Sequence, residues 1–324
     1  MGTKRRITRS ALQDSIYLQH AFEEFINEKE ARNLSESTIR NYRESYMEFY
    51  KFCEFDKRTT ADEVTVQAFY DWIRAMKQSG IKPASINHYL RDCRVFVYWC
   101  MAAERKYIAP FKINMVEKQE EQLKIFTDDE LRLLLKKPQK NDSFANWRMW
   151  AIVNWVLGTG NRASTICEIK MNDIDYTSKE IVLRQTKNKK MQIIPLSPSL
   201  EVAVKEYIKL WRGFAEPEDY LFPNIGEEKL TTNALRQSFE RYATEREVQR
   251  HNIHGLRHNF ARGWIRNEGN MFALQKILNH STLDMTKKYV KIFTEDLKKD
   301  YDKFSPLDNI KKDSKRTQVV KRSL

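Results

Sequence analysis

Residues 254–289, HGLRHNFARGWIRNEGNMFALQKILNHSTLDMTKKY, decide how the rest of the chain is read. Four side chains in this stretch carry chemistry: His254, Arg257, His280 and Tyr289. Leu256, Phe260, Ala261 and Trp264 recur at helical spacing, which predicts a helix with His254 and Arg257 on one face. Further on, Leu278-Asn279-His280 precedes a Ser281-Thr282 cap and a short helix expected to end near Tyr289. An arginine, two imidazoles and a phenol suit a phosphodiester better than other common substrates. A guanidinium grips phosphate oxygens as a fork, histidine moves protons near neutrality, and tyrosine can become a covalent nucleophile. Each piece alone is ordinary, since an H-x-x-R step or a tyrosine closing a helix is structural in most proteins. Their order is what carries information.

Upstream of this stretch, Thr127-Asp128-Asp129-Glu130 reads as a capping box with acids at the positive end of a helix dipole. WRMWAIVNWVLG (147–158) is apolar nearly all round and predicts a buried helix. It runs into Thr159-Gly160-Asn161-Arg162. Residues 180–183 and 191–196 then read as two strands, joined by the basic turn 186–190 that carries Lys187. Helices follow at 199–212 and 231–246, the second bearing Arg236 and Arg241.

The first part of the chain has a different texture. Residues 1–12 form a basic arm with Lys4, Arg5, Arg6 and Arg9 and no acid. Four helical patterns follow, built on Phe22 and Phe25, on Tyr42, Tyr46 and Phe49, on Phe69 and Met76, and on Leu90, Cys93 and Val97. Arg40, Arg43, Lys82, Arg91 and Arg94 are candidates for a basic, DNA-facing surface, with solvated charges as the plain alternative. Helical periodicity fails around Pro110, and a charged run leads to Ile125. The expected organisation is an arm (1–12), a helical domain (13–110), a linker (111–125), a second domain (126–300) and a basic tail (301–324).

Across its 324 residues the chain has only nine glycines and eight prolines, 31% charged residues and a formal net charge of +13. The glycine and proline content predicts a mostly helical protein, and the charge favours a polyanionic partner, nucleic acid before membrane. No apolar run is long enough to span a bilayer, and the basic start is not a signal peptide. Cys53, Cys93, Cys100 and Cys167 lack C-x-x-C spacing, so neither a zinc site nor a disulfide scaffold is indicated; all four are expected as buried thiols.

T-G-x-R, a hairpin lysine, H-x-x-R, L-x-H and a tyrosine nine positions after that histidine occur here in one order. This set resembles the signature of the tyrosine recombinases, the phage-integrase and Xer-like family. The resemblance implies a mainly α fold: an N-terminal four-helix, SAM-like core-binding domain, then a mostly helical catalytic domain with a small antiparallel β-sheet. It implies a site-specific recombinase that cleaves and rejoins DNA through a 3′-phosphotyrosyl intermediate and a Holliday junction, with no metal, cofactor or ATP. Tyr289 would attack the scissile phosphorus, and Arg162 and Arg257 would hold its non-bridging oxygens. His254 would take the tyrosine proton or donate to the phosphate, and Lys187 would protonate the 5′ oxygen. His280 would bond a phosphate oxygen and support the helix of the nucleophile.

Base contacts are expected from the helix over 231–246, which carries the DNA-binding candidates Arg236 and Arg241, and from the helix over 85–101, with phosphate contacts dominating affinity. The implied partners are double-stranded DNA carrying a specific site, a homo-tetramer on two such sites joined by exchange of a helix near 294–310, and an accessory DNA-bending or directionality factor. The implied location is the cytoplasm, on the nucleoid.

Three positions depart from the family pattern. Thr165 stands where an acid is usual, so Arg162 needs another support, for which Glu168 is the candidate. Asn279 replaces a glycine, and asparagine also tolerates the left-handed conformation. Tyr301 is a second tyrosine within reach of the motif. A type IB topoisomerase using the same residues, or a non-catalytic DNA-binding protein on the same fold, remains open from sequence.

Overall fold

The computed structural model describes residues 16–117, 125–184, 191–280, 282–283 and 285–286. The chain divides into two compact units, residues 1–121 and 122–324. Among the described residues no helix is long and apolar enough to cross a membrane.

The first unit is four helices: α1 (Leu18–Ala31), α2 (Glu36–Phe52), α3 (Val66–Gln78) and α4 (Pro83–Met101). The starts follow local rules. The Ser35 and Thr65 hydroxyls accept from the backbone N–H groups of Thr38 and Ala68, and Pro83 opens α4, where its missing N–H costs nothing. Gly80, at φ 73°, turns the chain after α3. The core is aromatic: Phe22 stacks on Tyr46 with ring centroids 3.7 Å apart, and Phe49 on Phe69 at 4.2 Å. Cys93 and Cys100 are buried in it; Cys53, the C-cap of α2, is only half-buried, against the expectation of four buried thiols.

Packing of this unit extends past residue 110, where helical periodicity ends. Asn87 donates to the Val116 carbonyl at 2.7 Å and accepts from the Val116 N–H at 2.8 Å, and the Ile113 N–H donates to the Tyr98 hydroxyl at 3.0 Å. Residues 111–116, within the stretch expected as linker, are thus strapped to α4, with Ile113 buried.

The second unit is built around α6 (Phe144–Thr159). Trp147, Ile152, Val153, Trp155 and Val156 are all buried. Such an all-round apolar helix needs neighbours on every side. They are α5 (Asp128–Leu135), α8 (Pro198–Trp211), α9 (Thr232–Thr244) and α10 (Ile253–Arg266). Thr127 and Glu130 form the expected capping box of α5. After α6 come a single turn, α7 (Ala163–Ile166), and a three-stranded antiparallel sheet in the order β1 (Ile174–Asp175), β2 (Glu180–Leu183), β3 (Gln192–Pro195). Ile181 pairs with Ile194 and Leu183 with Gln192, so Ile181, Leu183 and Ile194 face the core. The next helix, α11 (Met271–Ile277), is held to α10 by Ala261, Leu274 and Leu278 with Phe260, Trp264 and Ile265 around them.

The entry of the chain into this unit is tied to α10. Asn259 accepts from the Phe126 N–H at 2.8 Å and donates to the Phe126 carbonyl at 2.7 Å, all of it buried. Asn259→Ala strands both backbone groups away from water. The expected cost is about 2–4 kcal/mol of stability in the second unit, read from the midpoint and slope of urea unfolding.

Candidate active site

The first arginine is placed by the end of α6. The Thr159 hydroxyl donates to the Trp155 carbonyl at 2.7 Å and accepts from the Asn161 N–H, while Trp155 Nε1 donates to Asn161 Oδ1 at 2.9 Å. Gly160 between them has φ 65°, and a Cβ there would sit 2.5 Å from Phe260 and 2.7 Å from Leu278. Only glycine fits. The T-G-x-R step is therefore a helix stop that projects Arg162, half-buried, as the cap of α7.

The second histidine is placed by the end of α11. Asn279 N–H donates to the Lys276 carbonyl and His280 N–H to the Gln275 carbonyl, with Asn279 at φ 48°. This is a Schellman turn with asparagine in the left-handed position, as the substitution of glycine predicted. Gln192 at the root of the β2–β3 hairpin donates to the carbonyls of Lys276 (2.6 Å) and Ile277 (3.0 Å), satisfying the last turn of α11.

Arg257 joins these two ends. It is 3% exposed. Its Nη1 donates to the Gly160 carbonyl at 2.5 Å, and Nη2 to the Leu278 carbonyl at 2.8 Å and to His280 Nε2 at 3.0 Å. Arg162 Nη2 donates to the Asn279 carbonyl at 3.3 Å. The support expected from Glu168 is absent: Glu168 pairs with Lys229, and the turn that carries His280 supplies an acceptor for Arg162 instead.

His254 lies exposed at the first turn of α10, its ring edge-on to His258 with centroids 4.6 Å apart. Crowding by protein around the ring, then the charges of Arg257, Arg162 and Arg236, hold its pKa below the ordinary value, so it stands neutral near pH 7. His280 is lowered further, to about 4, by burial first, then by Arg257, Arg162, His254 and His258. Because arginine only donates, His280 Nε2 must be the acceptor. The ring proton is then on Nδ1, 2.9 Å from the hydroxyl of Thr286, which is wholly buried. Both ring nitrogens thus have partners inside the protein.

Of the residues singled out in the sequence, Arg162, His254, Arg257 and His280 come together. Lys187, Tyr289 and Tyr301, like the arm (1–12) and the tail (301–324), lie outside the described residues. Arg236 and Arg241 are both exposed on α9 but diverge, Arg236 acting on His254 and Arg241 on the buried Arg148. In the first unit Lys82 and Arg91 are exposed, Arg40 lies 4.0 Å from Glu44, Arg43 3.3 Å from Glu30, and Arg94 rests over the Tyr98 ring. Thr286, Gln192 and His258 were not singled out; a lone threonine, glutamine or helical histidine carries no signal until the chain is folded. Among the described residues no three histidine, cysteine or carboxylate side chains are close enough to share a metal ion.

A family model described as the phage integrase family matches residues 124–296, and one described as the phage integrase N-terminal SAM-like domain matches residues 22–104. The chain belongs to the phage integrase family. Tyrosine recombinase XerC of Staphylococcus aureus (strain JH9) is 24% identical over 291 residues, covering 88% of this chain and 96% of its own. A lambda integrase tetramer bound to a Holliday junction has the same fold, with TM-score 0.66, 16% identity, and 86% and 78% of the two chains covered. So does the Tn1549 transposon integrase in complex with a circular intermediate DNA, with TM-score 0.67, 20% identity, and 85% and 95% covered. This protein is a site-specific DNA recombinase of the tyrosine class, and the topoisomerase and non-catalytic readings are not favoured.

The recombinase site has a definite pH signature. The folded state binds fewer protons at His280 than the unfolded chain between pH 6.5 and about 4. That contribution to stability is intact above the unfolded pKa and is lost as pH falls toward the folded one. NMR titration of the free protein should find the His280 ring neutral at pH 6 with a midpoint near 4. A midpoint at or above 6 would mean that the ring is not held against Arg257.

Proposed function

We propose that the recombinase acts through Tyr289, with Arg162, Lys187, His254 and Arg257 around the scissile phosphate and His280 behind the nucleophile. The observation that supports this most is the meeting of Arg162, Arg257, His254 and His280 at one place, from three segments distant in sequence. The Tyr289 oxygen bonds to phosphorus as the bond to the 5′ oxygen breaks, leaving a 3′-phosphotyrosyl link and a free 5′ hydroxyl. A phenol near pKa 10 needs a base, and neutral His254 can take its proton. Lys187, cationic at neutral pH, gives a proton to the leaving 5′ oxygen. Gln192, five residues after Lys187, bonds to the end of α11, which supports this reading. The two arginines hold the non-bridging oxygens and offset the charge that builds in the transition state. His280 serves by position, since its ring is spanned by Arg257 and Thr286.

The covalent link conserves the phosphodiester energy, so the 5′ hydroxyl of a second duplex can attack it and rejoin the strands without ATP. Repeating the exchange on the other strand pair passes through a Holliday junction and needs four protomers on two sites. The tetramer in the lambda integrase structure is consistent with that requirement. We assign the segment near 294–310, at the start of the tail, to exchange between protomers, and residues 13–110 with 126–300 to the DNA-binding and catalytic domains. Arg40, Arg43, Lys82, Arg91, Arg94, Arg236 and Arg241 are assigned to DNA contacts, chiefly phosphates, so that affinity falls steeply with salt. Arg236, beside His254, is the one nearest the chemistry. A cytoplasmic setting on the nucleoid, with an accessory DNA-bending or directionality factor, completes the reading.

The test is a nicked suicide duplex carrying the recombination site mapped by footprinting. Wild type should give an SDS-stable protein–DNA adduct, Tyr289→Phe none, and Arg162→Gln an adduct formed about 100-fold more slowly. An adduct that survives Tyr289→Phe sinks the assignment and points to Tyr301.

A further inference from the structure

We propose that Thr286 is a positioning residue of strand cleavage: its hydroxyl sets the tautomer of His280 and ties the segment just ahead of Tyr289 to the buried Arg257 guanidinium. The inference rests on the reading of Tyr289 as nucleophile, three positions further along the chain.

The argument is one of hydrogen-bond direction. Arg257 Nη2 faces His280 Nε2 at 3.0 Å and can only donate. Nε2 therefore presents its lone pair, and the ring proton sits on Nδ1. Thr286 Oγ1, 2.9 Å from Nδ1, is the acceptor that makes this tautomer affordable in a closed setting. The Thr286 side chain has no exposure to water that could replace it. Its own N–H donates to the Leu283 carbonyl at 2.9 Å, so the hydroxyl is carried on a turned backbone. The low pKa of His280 agrees, since a doubly protonated ring would set N–H against N–H at Arg257.

Removing the acceptor leaves two outcomes, both unfavourable. Either Nδ1–H is buried without a partner, or the proton moves to Nε2 and confronts the guanidinium. In each case the His280 ring loses its fixed orientation and Thr286 its tie to Arg257 through that ring. A methyl group in place of the hydroxyl would fill the space and fail at this task. Packing and hydrogen bonding are therefore separable here.

Single-turnover adduct formation on the suicide duplex, at saturating DNA, separates them. Thr286→Val should slow the reaction on the order of tenfold with duplex affinity near wild type and a lowered thermal midpoint, and Thr286→Ser should stay within about twofold of wild type in rate. A Val variant as fast as wild type, or a Ser variant as slow as Val, overturns the proposal. Nitrogen-15 NMR of the His280 ring in the wild-type protein gives an answer that needs no variant. The Nδ1–H tautomer is expected, and an Nε2–H tautomer would overturn it even if Thr286→Val did not fold. Tyr289→Phe is run beside these: an adduct there would count against the nucleophile, while the tautomer measurement would still judge Thr286.

Discussion

A positively charged guanidinium sealed inside the second unit is the constraint on which the site depends. Arg257 reaches a carbonyl at the end of α6, a carbonyl at the end of α11 and the ring of His280. Helix ends are where backbone carbonyls lack partners, so one side chain with five donors in a rigid fork can satisfy two of them at once. The geometry follows from that economy. Arg162 stands where it does because α6 stops at Gly160, and His280 because α11 stops at Asn279, and Arg257 binds both stops.

The same arrangement sets the electrostatics. Burial first, then the charges of Arg257 and Arg162, hold both His254 and His280 neutral, with Arg236 adding to the effect on His254. A site so loaded with positive charge favours an anion, and a chain with net charge +13 brings itself to a polyanion before any contact is made. Protonation of the histidines would add to a repulsion already present, which is why their acid strength is a structural property as much as a chemical one.

Periodicity and caps made most of the helices legible. Ser35, Thr65, Pro83 and the Thr127–Glu130 box mark starts that a reader of the sequence can find. The motif residues were legible as a set because their order is distinctive, although what each step does locally was not. Nothing in T-G-x-R announces a left-handed stop with no room for a Cβ, and nothing in L-x-H announces a Schellman turn. Partners far apart along the chain were invisible: Arg257 with Gly160, Gln192 with α11, His280 with the lone Thr286. Charge pairing also misled, since Glu168 seemed the natural support for Arg162 and instead meets Lys229. Periodicity reports helices, so the packing of the non-helical residues 111–116 against α4 was not legible.

The two bonds between Asn259 and Phe126 have a mechanical meaning. Asn259 sits in the middle of α10, two residues beyond Arg257, and Phe126 is where the chain arrives from the first unit. The backbone at Phe126 is therefore fixed to the helix that bears His254 and Arg257, and a shift of either is felt by the other.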